Sequence, residues 1–298
     1  MGKRIMLFVL VNFAVLLTLL IITRLLGVDR FLAQSGINYG ALLVFALVIG
    51  FGGSLISLAM SRNIARWSMK VELIDPRAAG GQERWLVETV HHLARSAGLE
   101  KMPQVGIYPS PEVNAFATGP TRSSSLVAVS AGLLERLDQQ AVTGVLAHEI
   151  SHVANGDMVT MTLLQGVVNT FVVFLSRAAA FAAAQVSRSD EEEGGGFSYM
   201  TYILVSIVME IFLAVLGTLV VMAFSRHREF AADAGGATLG GRGAMIHALE
   251  SLGATKELVE TSDKAVATLK IAGGHSLMRL FASHPPLEDR IARLHGRA

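Results

Sequence analysis

The residues best able to do chemistry stand in the stretch LAHEISHVANGD, residues 146–157. His148 and His152 are four apart, so on an α-helix they share a face and their imidazoles can reach one ion. Glu149 is rotated one residue away from that pair. It is placed to take a proton from a water polarised by the ion rather than to bind the ion itself. The chain has no cysteine, which excludes disulfides and thiolate ligands and leaves histidines and carboxylates to hold a metal. A catalytic zinc site needs a third protein ligand and an open position. The stretch SRHREFAADAGGA, residues 225–237, offers Glu229. Asp233 follows one turn along the same face, where it can accept a hydrogen bond from the free ring nitrogen of a histidine ligand and fix its tautomer. Two histidines, one carboxylate and an open position suit Zn2+ best, one ion per chain.

The other histidines read as bystanders. His91 and His92 are adjacent, point to different faces and belong on the surface. His227 reads as interfacial, and His247, His275 and His295 as exposed. Asp157 either caps the break after the histidine helix or orients a ligand; both readings stay open.

The elements that must position these groups are mainly helical. LDQQAVTGVLAHEISHVANGD reads as one helix, capped by Asp138 and interrupted by Gly156, with Val142, Val145, Leu146, Ile150 and Val153 as its apolar stripe. Upstream, QERWLVETVHHLARSAGL places Leu86, Val90, Leu93 and Ala97 on one face and ends at Gly98. Val105–Tyr108, Ala115–Thr118 and Leu126–Val129 are short strands between Pro, Gly and Ser breakers, which predicts a small β-sheet. The segment NAFATG, around Asn114 and Ala115, is either an ordinary strand or an edge able to hold a peptide by strand addition.

Composition places this machinery at a membrane. Of the 298 residues 52% are hydrophobic and 16% charged, where soluble domains carry about 25% charged residues. A net charge of +1 gives no argument for a nucleic-acid partner. Four apolar runs are long enough to span a bilayer, which takes about 20 residues. The first begins at Ile5; it outruns the apolar core of a signal peptide, shows no clear cleavage site and reads as an uncleaved helix. The second ends at Met60 and contains Gly50, Gly52 and Gly53, which permit close helix packing. The third begins at Met158, and the fourth is Tyr199–Phe224. Lys3, Arg4, Arg62, Arg66, Lys70, Arg226 and Arg228 flank these runs, and the acidic turn SRSDEEEGGG separates the last two. By the positive-inside rule the polar segments are cytoplasmic, with Trp67 as an interfacial anchor. The expected organisation is a transmembrane hairpin (1–62), a first polar part with the histidine helix (63–157), a second hairpin (158–225) and a second polar part with the third ligand (226–298). The second hairpin would return the chain to His152 and so account for the long gap between ligands. Within it Arg177 and Glu210 fall at similar depths. They either pair, or Arg177 reaches outward while Glu210 faces a shielded groove.

The combination of H-E-I-S-H-V-A-N-G-D, an apolar hairpin, R-E-F-A-A-D and S-H-P-P-L-E-D-R-I resembles the HtpX heat-shock family of membrane zinc endopeptidases, relatives of the CAAX prenyl proteases. The resemblance covers nearly the whole chain. It implies four transmembrane helices with a cytoplasmic zincin-like domain. It implies His148, His152 and Glu229 as zinc ligands, Glu149 as general base and Asp233 as the residue behind a ligand. Asn114 and Ala115 would form the substrate edge. His284 of the H-P-P motif would help bind the substrate or its tetrahedral intermediate, with Arg290 six residues on; either could stabilise the oxyanion. The implied activity is zinc-dependent hydrolysis of damaged or unfolded membrane proteins at the cytoplasmic face of the bacterial plasma membrane, under stress. An intramembrane-cleaving protease would instead bury the histidine motif within an apolar run. A CAAX-type processing enzyme and a catalytically silent chaperone or scaffold are the other rivals; an intact Glu149 counts against the silent one. The segment TKELVETSDKAVATLKIAGGHS reads as a mobile loop.

Overall fold

The computed structural model describes residues 38–189, 195–262 and 282–296 of the chain. The apolar run from Ile5, the tip of the acidic turn and the loop region containing His275 lie outside the described residues. The elements run α1 (Tyr39–Ser68), β1 (Glu72–Leu73), α2 (Gly81–Ser96), β2 (Gln104–Tyr108), β3 (Ala115–Thr121), β4 (Ser124–Ser130), α3 (Ala131–Arg136), α4 (Gln139–Asn155), α5 (Asp157–Ser189), α6 (Gly195–Gly240), α7 (Arg242–Ser262) and α8 (Leu287–Leu294). The fold is mainly helical with one small mixed sheet, and its described residues form two compact units.

One unit is drawn from Leu58–Thr160 and Met222–Ala298. Its four-stranded sheet has the order β1-β2-β4-β3, with β2 parallel to β4 and both outer pairings antiparallel. β1 is only two residues long, too short a pairing to leave an alternating pattern in the sequence. Central β4 is buried from Ser125 onward, as a strand covered on both faces should be. Leu86, Val90 and Leu93 of α2, Val105 of β2, Val127 and Val129 of β4, and Val142, Leu146, Ile150 and Val153 of α4 close one core. The stripes predicted for α2 and α4 are therefore the faces that pack.

Both ends of α4 are built as the sequence predicts. Asp138 Oδ1 accepts from the Ala141 N–H at 2.8 Å, the N-cap bond that satisfies one of the free donors of a first turn. Gly156 ends the helix with φ +74°, a conformation glycine adopts without penalty. α7 packs along α4 where Gly144 lies against Ala244 and Ala248, and His247 Nε2 of α7 meets Asp138 Oδ2 at 2.8 Å. α8 closes against α7 through Leu287, Ile291, Leu294, Met245 and Leu249.

The other unit is drawn from Met1–Ser57 and Met161–Val221. Three described helices are long and apolar enough to cross a membrane: Tyr39–Ser68, Asp157–Val186 and the stretch Tyr199–Gly240. Thirty residues of helix reach about 45 Å, more than the ~30 Å hydrocarbon core. In this unit large apolar side chains such as Val48, Ile56, Leu204, Ile211 and Phe212 are exposed, while Ser54, Thr170, Ser176 and Ser206 are buried. That inverts the order of a water-soluble domain and suits a lipid surround. A Cβ at Gly50 would strike the Thr170 backbone, so Gly50 sets the α1–α5 contact; Gly52 and Gly53 face open space. Asn169 Nδ2 donates to Ser54 Oγ at 3.4 Å across that contact. Arg177 Nη1 and Glu210 Oε2 lie 3.2 Å apart, the paired alternative of the two weighed from sequence.

Candidate metal centre and cleft

The centre forms where α6 crosses α4. Glycines allow the close approach: a Cβ at Gly236 would press on the His148 backbone, and one at Gly235 on the Ser151 hydroxyl. α4 supplies His148, Glu149 and His152. The left-handed turn at Gly156 then places Asp157, the first residue of α5, behind His152. α6 supplies Arg228, Glu229 and Asp233, and the segment before and within α8 supplies His284 and Arg290.

Three side chains converge. His148 Nε2 lies 3.1 Å from His152 Nε2, His148 Nε2 lies 3.4 Å from Glu229 Oε2, and His152 Nε2 lies 3.3 Å from Glu229 Oε1. Among the described residues these three form the group able to hold a metal ion. Ligands about 2.0–2.1 Å from a tetrahedral zinc sit about 3.3 Å from one another, so the spacing fits Zn2+. The rear nitrogens complete the fit. His148 Nδ1 is 3.0 Å from Asp233 Oδ1, and His152 Nδ1 is 2.6 Å from Asp157 Oδ2. Each ring that donates Nδ1–H to its carboxylate turns a bare Nε2 lone pair inward, the tautomer a metal requires.

The electrostatics favour positive charge at this point. Burial alone would depress the His152 pKa, but its hydrogen bonds to Asp157 and Glu229 outweigh burial and raise it to about 9. His148 is raised in the same way: burial opposes, and Asp233 and Glu229 prevail. Arg290 is 6% exposed. Its Nε and Nη2 donate to the two oxygens of Asp233 at 2.8 and 2.6 Å, a bidentate pair. Burial would lower its pKa, yet Asp233 raises it.

A cleft of about 1290 Å³ opens beside the centre. His148, Glu149, Asn114, Ala115, His284 and Arg290 all line it, with Leu133, Val145, Phe230, Met245, Leu249 and Leu252 as apolar wall. Thus all nine site residues named from sequence come to one place. Their placement differs in kind, however. Glu149 is half-buried at the wall. His284 has a side chain 61% exposed and holds Nδ1 2.6 Å from Glu229 Oε2. Arg290 spends two donors on Asp233 rather than presenting them to the cleft. Asp157 is the partner of His152, in addition to starting α5. Arg228, named from sequence only as a flanking charge, reaches Asp157 Oδ2 with Nη2 at 3.0 Å. The remaining described histidines stay apart: His91 bonds the Pro103 carbonyl, His247 pairs with Asp138, and His92, His227 and His295 are exposed.

β3 is the sheet edge on the cleft side. Ser130 anchors its start: its N–H donates to the Asn114 carbonyl at 2.9 Å, and its Oγ accepts from the Asn114 N–H at 3.1 Å. Asn114 and Ser130 are thus a hydrogen-bonded pair, so the next residues alternate. The N–H and C=O groups of Ala115 and Ala117 turn away from β4, toward the free edge.

With the geometry in place, comparison with known proteins is specific. The profile of peptidase family M48 matches residues 81–298. The protease HtpX homologue of Bacillus subtilis (strain 168) is 52% identical over 305 residues, covering 100% of both chains. That of Chlorobium limicola is 53% identical over 293 residues, covering 98% of both chains. Among solved structures, the crystal structure of S. mikatae Ste24p superposes with a TM-score of 0.61 at 18% identity, covering 98% of this chain and 67% of the other, a likeness of fold.

Proposed function

The chain belongs to peptidase family M48 and is a metalloprotease with apolar helices fit for a membrane, and from that premise we propose that it is a zinc-dependent integral-membrane endopeptidase working at the cytoplasmic membrane face. The observation that carries the reading is the convergence of His148 Nε2, His152 Nε2 and Glu229 at tetrahedral spacing, with Glu149 on the wall of the same cleft.

Zinc held by His148, His152 and Glu229 would supply the Lewis acid that polarises the scissile carbonyl and acidifies the attacking water. Glu149 accepts the proton of that water and later delivers it to the leaving amine nitrogen. His284 lines the cleft with its Nδ1 held 2.6 Å from Glu229 Oε2, where its ring can meet the substrate or the developing oxyanion. Arg290 acts through Asp233, holding the carboxylate that orients His148. A substrate strand lies along β3, taking hydrogen bonds from the outward groups of Ala115 and Ala117 while Asn114 fixes the strand's start.

Cytoplasmic placement is supported by Arg62, Arg66 and Lys70 beyond the apolar part of α1 and by Arg226 and Arg228 beyond that of α6. The organisation we favour is two transmembrane hairpins, 1–62 and 158–225, alternating with the two halves of the protease domain, 63–157 and 226–298. Since the relatives are bacterial and three described helices are apolar enough to cross a membrane, the plasma (inner) membrane is the location we favour. Damaged or misfolded membrane proteins and unfolded polypeptides are the substrates this placement suits.

The test is cleavage of casein by detergent-solubilised, zinc-loaded protein, wild type beside Glu149→Gln, with metal content quantified. The expected result is a variant that keeps zinc and loses cleavage. Zinc retained by both with no cleavage of several unfolded substrates would favour a silent scaffold. No metal in either would remove the metal centre altogether.

A further inference from the structure

The geometry points to Arg228 as a positioning residue for the second histidine ligand: it clamps Asp157 against His152 Nδ1 and thereby sets how tightly the centre holds its metal. The inference rests on the metal-centre reading above and goes beyond it, since neither the histidine motif nor Glu229 requires a cation at position 228.

Arg228 directly precedes Glu229 on α6. Its Nη2 lies 3.0 Å from Asp157 Oδ2, and the same carboxylate oxygen lies 2.6 Å from His152 Nδ1. Nη2 is also 3.4 Å from His152 Nδ1, so guanidinium, carboxylate and imidazole meet at one point. This relay repeats the order found behind the other ligand, Arg290 to Asp233 to His148. The two differ in one respect. Arg290 grips its aspartate with two donors, whereas Arg228 holds Asp157 by one contact, and its Nε is buried with no hydrogen-bond partner among the described residues. A buried donor without a partner is a desolvation cost. Arg228 is therefore held through the contact of its Nη2 with Asp157, while its Nε goes unsatisfied.

The placement has a mechanical reason. Asp157 starts a helix of its own, beyond the Gly156 turn, and the α4 group that meets its carboxylate is His152, the very ring it has to orient. Arg228 makes that connection from α6. One helix thus supplies the third ligand and, through Arg228 and Asp233 on either side of it, the groups behind both histidines. Partners of this kind typically change metal affinity 10–100-fold when removed.

The experiment measures zinc affinity of the full detergent-solubilised chain by competition with a chromogenic chelator, and the visible spectrum of the cobalt-substituted protein. Arg228→Met is expected to bind zinc about tenfold more weakly and to shift the cobalt bands, with Arg228→Lys restoring part of both. In an Asp157→Asn background Arg228→Met should change affinity less than twofold, because the clamp has nothing left to hold. His227→Ala, at the exposed neighbouring position, serves as control and should match wild type. If Arg228→Met does not yield folded protein, Arg228→Gln takes its place with the same expectation. An Arg228 variant that binds zinc within twofold of wild type, or a full loss that persists in the Asp157→Asn background, overturns the inference. A wild type that binds no zinc overturns it together with the reading on which it rests.

Discussion

His148 and His152 point their Nε2 atoms at each other across 3.1 Å, each ring held from behind by an aspartate. Two lone pairs cannot face one another at that distance without a cation between them. Either a proton or a metal must supply it, and the two compete for one position.

That competition has a pH signature. In metal-free protein the His152 pKa is raised to about 9, against about 6.5 for an unfolded histidine. A raised pKa means that the stabilising contribution is complete below about pH 6.5 and is lost as pH rises through about 9. Thermal unfolding of chelator-treated protein should therefore move to lower temperature across that window. Zinc affinity should move the opposite way, strengthening as pH rises, because metal binding expels the proton. Zinc affinity independent of pH between 6 and 9 would contradict this.

Arg290 is the strongest stability prediction. Arg290→Met leaves the Asp233 carboxylate buried without its bidentate partner. Breaking one side of a buried ion pair costs about 3–5 kcal/mol, so unfolding should shift by a comparable amount even in metal-free protein. A variant within 1 kcal/mol of wild type, on the order of a surface change, would mean that Asp233 finds another partner. The same measurement on Arg228→Met should show a smaller loss, since one contact is removed rather than two.

The alternation along β3 can be tested from the substrate side. If a peptide pairs with the outward groups of Ala115 and Ala117, N-methylation of its amides should weaken cleavage at alternate positions only. Each lost hydrogen bond is worth about 0.5–1.5 kcal/mol, or roughly 2–10-fold in kcat/KM. Equal sensitivity at successive positions would speak against strand pairing at this edge.

Arg177 and Glu210 form the third test of geometry. Their side chains are 27% and 44% exposed, on a surface that otherwise presents apolar groups. Away from water, each charge depends on the other. Arg177→Glu and Glu210→Arg should each destabilise the protein, and the double swap should recover part of the loss, with a coupling on the order of 0.5–3 kcal/mol. A double swap no more stable than either single variant would sink the pairing.

Much of the site was legible because it is written at helical spacing. The four-residue step from His148 to His152 and from Glu229 to Asp233 needs only a helix to put each pair on one face. Gly156 and Asp138 declared the ends of α4 by their chemistry. What resisted reading depended on where helices cross. Asp157 could serve as cap or partner until the left-handed turn at Gly156 showed which way its carboxylate faces. Arg228 is rotated about 100° from Glu229, so no spacing argument groups the two; only the Asp157 side of the crossing does. The long helix α7, which packs against α4, carried no chemical motif, and its role as a wall of the cleft follows from the placement of Met245, Leu249 and Leu252.

From Met222 onward α6 runs without a break to Gly240, so Glu229 and Asp233 belong to a single rotor. In a continuous helix every residue is phased to every other: adding or removing one residue between the two turns one against the other by about 100° and slides it 1.5 Å. The three residues between them are therefore not a spacer but a gear, intolerant of any change in length. The angle at which Glu229 meets the two histidines and the angle at which Asp233 backs His148 are one coordinate.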